Sequence, residues 1–245
     1  MRTRAFAIRN GKELLRDPLN LAFALGFPLV VLLLLTALQA NIPTEIFPIT
    51  TLAPGIIIFG FSFFALFSGM LLAKDRSTSF LIRLMASPLT ATEFMIGYIL
   101  PIVPMAVGQS VICMLAALFL GLRLNGNVLL ALLSLLPAAL LFIGIGLLAG
   151  TLLNDKQVSG ICGALLTNLS AWLSGTWFDL NLVGGAFKTI AYLLPFAHAV
   201  DAGKAALMGD YASILPHLLW VLGYAIAVGI LAIAIFKKKM KNATM

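Results

Sequence analysis

Apolar residues run almost unbroken through six stretches of the chain, near Leu19–Ala40, Leu52–Ala73, Phe94–Leu122, Val128–Leu153, Gln157–Trp177 and Ile214–Phe236. Each is long enough for a bilayer, which a helix of about 20 residues crosses. No Asp, Glu, Lys or Arg falls inside any of them. Helix is the expected form, because a backbone in lipid has to satisfy its own hydrogen bonds. The pattern predicts an all-α polytopic membrane protein with six transmembrane helices in a single domain over residues 1–245. The first apolar run exceeds the roughly 7–15 residues of a signal-peptide core, so it is expected to remain as an anchor.

Shorter patterned pieces lie between and beside these runs. In residues 1–17, helical spacing gathers Arg9, Lys12, Glu13 and Arg16 on one arc and Ala7, Ile8, Leu14 and Leu15 on another, while Phe6 and Arg4 fit neither. That pattern predicts a helix lying in the headgroup layer. Asp17-Pro18 breaks it, since proline disfavours helical geometry in the residue before it. Residues 74–93 predict a second amphipathic helix. Phe80, Leu81, Ile82, Leu84 and Met85 spread over one arc, Arg76 and Arg83 share the other, and Ser87-Pro88 stops it. Residues 178–213 hold two apolar stretches, Gly184–Leu194 and Phe196–Met208, around Pro195. Neither spans a bilayer, so a re-entrant or interfacial hairpin is expected, with Asp201 and Lys204 placed to pair at i,i+3.

Charge orients the chain. Of 16 Lys and Arg, only Arg123, Lys188 and Lys204 fall on the side opposite the two ends. Positively charged loops stay in the cytoplasm, so both ends are expected there. Hydrophobic residues make up 61% of the chain and charged ones 10%, against about 25% charged in soluble domains. The net charge of +7 is spread over loops rather than drawn into one stripe. It therefore points to membrane lipid and not to nucleic acid.

Inside the apolar runs, Pro28, Pro101, Pro104 and Pro137 interrupt helices, and Gly146-x-x-x-Gly150 and Gly160-x-x-Gly163 invite close helix approach. Gln109, Ser110, Asn168 and Ser170 are expected to hydrogen-bond between helices, with contact to a transported molecule as the alternative. Cys113 and Cys162 read as buried hydrophobes. No phosphate loop, H-E-x-x-H, G-x-S-x-G or cysteine–histidine zinc spacing occurs, and His198 and His217 have no carboxylate at metal-ligand spacing. The chain is thus read as no enzyme, with no cofactor or metal of its own. The lack of ionisable residues within the runs argues against an ion-coupled carrier.

The order of these parts resembles the membrane permease of type-2 ATP-binding-cassette (ABC) exporters. The residues that carry the likeness are Asp75-Arg76 through Leu84-Met85-Ala86-Ser87-Pro88-Leu89, then Glu93-Phe94 and Gly97, Leu173-Ser174-Gly175, and Leu194-Pro195-Phe196 through Gly209. The chain departs from the family's pattern at Lys74-Asp75-Arg76, where Glu-Arg-Glu is common, and at Tyr98, where a Lys is common. The resemblance implies ATP-driven export of an amphipathic drug, peptide or lipid-like cargo through the cytoplasmic membrane of a bacterium or archaeon. It implies a second permease copy or close homologue and two copies of a separate cytoplasmic ABC ATPase, which would hold the ATP and Mg. It assigns coupling to that ATPase to Asp75, Arg76, Phe80, Arg83, Leu84, Ser87 and Pro88. A substrate path from the first, second and fifth spans would include Phe61, Asn168 and Trp172. The competing readings are an ATP-independent carrier or channel, and a non-transporting receptor or immunity factor on the same fold.

Overall fold

The computed structural model describes residues 2–78 and 89–243, and every regular element among them is helical. Helix α1 covers Arg2–Leu15. Asp17 then caps the next helix by accepting from the Asn20 amide at 3.1 Å, with Pro18 in the first turn, where its missing N–H costs nothing. Helix α2 covers Pro18–Gln39. Its turns over Ala22–Gly26 are wound as π-helix just before Pro28, which has no N–H for the carbonyl of Ala24 and crowds it. Helices α3 (Ile49–Ser77), α4 (Ala91–Phe119) and α5 (Asn127–Leu152) follow. Helix α6 (residues 155–173) starts at an Asn154/Gln157 capping box and is π-wound over Ser159–Leu166. Helices α7 (Gly185–Leu193), α8 (Pro195–Met208) and α9 (Tyr211–Ala243) complete the chain.

Five helices, α2 to α5 and α9, are long and apolar enough to cross a membrane. The expected span at Gln157–Trp177 is not one of them. Its helix opens on the polar run Asn154–Gln157, carries Thr167, Asn168 and Ser170, and ends at Leu173. It nevertheless follows α3 along the bundle, for Asp155 borders the same cavity as Lys74, while Thr176 sits against Gly55. That additional passage is what lets both ends of the chain meet: Phe94 packs on Phe6 at 5.6 Å and on Phe236 at 5.9 Å. We call this the terminal end. At the opposite loop end, the Tyr211 hydroxyl donates to Asn127 at 2.9 Å.

Helix α3 is the central member and the most buried of the five. It meets α5 through glycines: a Cβ on Gly146 would strike the Ala65 carbonyl, and one on Gly150 the Gly69 carbonyl. The Ser68 hydroxyl donates across this seam to the Ile143 carbonyl at 3.2 Å. The first glycine pair thus serves packing inside one chain, as such spacings do. In the second pair a Cβ on Gly163 would come within 3.3 Å of Leu66, but one on Gly160 would meet nothing within 4 Å, so that glycine supports no close approach.

One further expectation is corrected. Ser110 and Ser170 back-bond to carbonyls three or four residues earlier, Asn168 does the same to Ala164, and Gln109 reaches Cys113 one turn on. These bonds lie within helices and not between them, as those of short polar side chains in helices often do. In the segment 178–213, for which a re-entrant or interfacial hairpin is expected, the second arm goes deep. Helix α8 is threaded into the bundle, with Phe196 on Phe142 of α5 at 5.5 Å and Gly203 against Pro54 of α3. Its Ala- and Gly-rich faces permit that depth.

Candidate functional site: the Asp75 junction

The last turn of α3 offers three consecutive charged side chains, and a helix points successive residues about 100° apart. Each therefore meets a different neighbour. Lys74 is exposed and pairs with Glu13 of α1 at 3.3 Å. Asp75 is only 3% exposed. Its Oδ2 accepts from Arg9 Nη1 of α1 at 2.7 Å and from the Tyr98 hydroxyl of α4 at 2.9 Å. Arg76 turns to α5 and donates from Nη1 to the carbonyls of Gly150 and, at 3.2 Å, Leu153. Those carbonyls belong to the end of α5, where unsatisfied acceptors attract a cation. One helical turn is thus tied to α1, α4 and α5 at once.

Helix α1 reaches this position through a stripe of side chains, Phe6, Ala7, Asn10 and Leu14, that is buried in the bundle. Phe6 presents its edge to Phe94 and Tyr98. Gly97 makes room, because its Cβ would occupy the Phe6 ring. Asn10, wholly buried, donates to the Gly97 carbonyl at 3.1 Å and accepts from Arg9 at 2.9 Å. Ile8 and Leu15 face outward. The amphipathic pattern thus describes only the outer part of α1, and the misfit Phe6 is its principal anchor. Desolvating a carboxylate is costly unless it is paired and hydrogen-bonded. Arg9 and Tyr98 supply that compensation with short, charge-assisted bonds.

Asp75 and Arg76, expected on a surface that meets a partner, are turned inward. The remaining expected coupling residues, Phe80, Arg83, Leu84, Ser87 and Pro88, lie outside the described residues. On the far side, Thr90 and Glu93 form a capping box at the start of α4, with Glu93 Oε2 accepting from the Thr90 amide at 2.8 Å. The expected path residues separate. Asn168 and Trp172 lie one turn apart on the open face of α6, Trp172 being 54% exposed. Phe61 is 1% exposed and packs on Phe64 and Phe142, so it lines no path with them. The aromatic side chains on the α2 side of α3 are instead Phe59, Phe63 and Phe67, over which Phe23 and Phe27 of α2 lie half-exposed. Sequence reasoning missed Arg9, Asn10 and Tyr98 as parts of the junction. The available signals were a polar Asn between apolar positions of α1 and a phenol where the family commonly has a Lys.

Among the described residues, no group of three or more His, Cys, Asp or Glu is placed to hold a metal ion. The family model for ABC-2 type transporters matches residues 1–208, from α1 through the end of α8. The chain belongs to the ABC-2 type transporter family. A search of curated proteins gives no match. This ABC-2 chain is a multi-pass membrane protein and the permease component of an ABC transporter. Members of its family are transport subunits, not themselves catalytic, and typically work with a separate ATPase.

Proposed function

We propose that this permease exports an amphipathic cargo, powered by two copies of a separate ABC ATPase acting on two permease chains. The observation that carries the reading is the three-way anchoring of the last turn of α3. Residues 74–93 join α3 to α4, so a load applied to that connection by an ATPase would enter the most buried helix of the bundle directly. Asp75 and Arg76 would pass it on to α1, α4 and α5, which is how small displacements become rigid-body switching in packed helices. In this reading Asp75 and Arg76 are positioning residues behind the docking surface, and Phe80, Arg83, Leu84, Ser87 and Pro88 make contact with the ATPase. The cargo surface runs along α2 and α3, where Phe23 and Phe27 overlie Phe59 and Phe63, and along α6 at Asn168 and Trp172. A face rich in rings suits a cargo with an apolar body.

The test is Arg83→Glu in the assembled complex. Permease-stimulated ATP hydrolysis should be lost while the chain still accumulates in the membrane. Unchanged stimulation overturns the coupling role. Cargo movement into vesicles that lack any ATPase would replace the reading by that of an independent carrier.

A further inference from the structure

A cavity of about 370 Å³ opens at the loop end, away from the Asp75 junction. Its walls come from the α2–α3 connection, from the turn after α6 and from α7 and α8. We propose that it binds a monovalent organic cation, an ammonium group carried on an apolar body.

Charge decides the sign of the ligand. Glu45, Asp179 and Asp201 stand on the walls against the single ammonium of Lys204. Two of the carboxylates are held in place by one oxygen only. Asp201 Oδ2 accepts from the Tyr192 hydroxyl at 2.9 Å, and Asp179 Oδ1 accepts from the amide and side chain of Asn181, both at 2.8 Å. Their second oxygens, and the whole of Glu45, make no hydrogen bond among the described residues. Asp201 and Lys204, expected to pair, form no ion pair there. A cavity with this many unspent acceptors and one fixed cation favours a donor-bearing or cationic guest over an anion.

The aromatic lining supports the same class. Phe178 and Tyr192 face the space. The Tyr192 ring already draws the Lys188 ammonium to 6.0 Å from its centroid, the range of a cation–π contact. Its phenol is pushed well above the ordinary range, first by burial and then by Asp201 and Asp179. An ammonium on an apolar stem would meet carboxylate oxygens and ring faces together, as mostly apolar pockets with a few placed polar groups bind their ligands. The binding stands apart from the permease reading; only its place as a waiting site on the release side rests on that reading.

The purified full chain in a non-ionic detergent, without any ATPase, is equilibrated with benzyltrimethylammonium and, separately, with benzenesulfonate. Saturable binding of the cation at one per chain is expected, and none of the anion. Glu45→Gln removes a carboxylate that makes no internal bond, and Asp179→Asn keeps an acceptor oxygen for the Asn181 amide, a role Asn fills as well as Asp. Together they should weaken the cation about tenfold, the equivalent of one lost charge-assisted contact. Lys204→Gln should tighten it. Equal retention of both ions, or unchanged affinity in the double variant, overturns the proposal. Competition by added phosphatidylcholine assigns the ammonium to a lipid headgroup, and binding indifferent to that lipid assigns it to a free amphiphile; both support a cation site. Failure here leaves the ATPase test untouched, so the two readings fall separately.

Discussion

Asp75→Asn tests the junction most directly, because it keeps the side chain's shape and one carbonyl oxygen while removing the charge. The Tyr98 hydroxyl keeps an acceptor, but Arg9 loses its carboxylate at 2.7 Å. A hydrogen bond to a charged group contributes about 1.5–3 kcal/mol. The Arg9 side chain is 35% exposed, so water replaces part of what it loses and the lower end of that range applies. Asp75→Ala also strands the Tyr98 hydroxyl, which is wholly buried, and should cost about 3–5 kcal/mol, as for a broken buried pair. Tyr98→Phe, which removes only the neutral donor, should cost about 1 kcal/mol. Unfolding in detergent gives these differences, and hydrogen exchange over residues 2–15 reports release of α1 separately. The double variant Arg9→Met/Asp75→Asn should show a coupling energy of about 1 kcal/mol or more. Strict additivity, or an Asp75→Asn chain whose α1 stays protected, would refute the claim that this pair fastens α1 to α3.

Other consequences can be measured alongside. Gly146→Ala should destabilise by about 1–3 kcal/mol, since its methyl group meets the Ala65 carbonyl in a packed seam. Gly160→Ala should be neutral or stabilise by up to about 1 kcal/mol, because the site is open and Ala is the better helix former. Thr90→Ala removes the cap of α4 and should cost about 1 kcal/mol in thermal unfolding. Acid should loosen the loop end. His198 Nε2 lies 3.0 Å from the Tyr192 carbonyl and must donate to it, so its Nδ1 accepts from His217 Nδ1 at 2.8 Å. Burial first and then His217 lower the His198 pKa, while the Tyr192 carbonyl and Asp201 oppose that shift. The folded state therefore prefers a neutral ring. Its stabilisation is complete above the ordinary histidine value of about 6.5 and is lost as pH falls from there through the lower folded value. Amide protection over residues 185–208, taken relative to the intrinsic exchange rate at each pH, should fall between neutral and acidic pH, and His198→Gln should flatten that response; a parent protection profile without pH dependence would contradict the arrangement.

Much of the architecture was legible in the sequence because burial in lipid leaves a coarse record. Runs such as Leu52–Ala73 and Val128–Leu153 identify helices whatever their neighbours are, and Asp17-Pro18 marks a local boundary that backbone chemistry sets. The stretch at Gln157–Trp177 was harder to read. Its polar start and internal Asn168 weaken the hydropathy signal, and only its course beside α3, from Asp155 near Lys74 to Thr176 at Gly55, shows that it follows the bundle. The amphipathic reading of α1 was incomplete for a related reason. An arc records which residues share a side, but not whether lipid or protein covers it, so Phe6 looked out of place and Asn10 went unnoticed until α4 was seen beneath them.

The sequence by itself therefore determined class, helix content, the two-ended bias of basic residues and the likeness to an ABC permease, because these depend on composition and local order. Tertiary structure alone decided what the charged turn Lys74-Asp75-Arg76 does. A carboxylate beside a loop reads as solvent-facing, yet Asp75 is enclosed because Arg9, distant in sequence, and Tyr98, from the next helix, converge on one oxygen. The same holds for Gly146 and Gly150, whose value appears only against the backbone of α3, and for Phe61, which is buried against Phe142 of α5. Pairing across helices depends on which faces meet, and helical periodicity leaves that open until the bundle is packed.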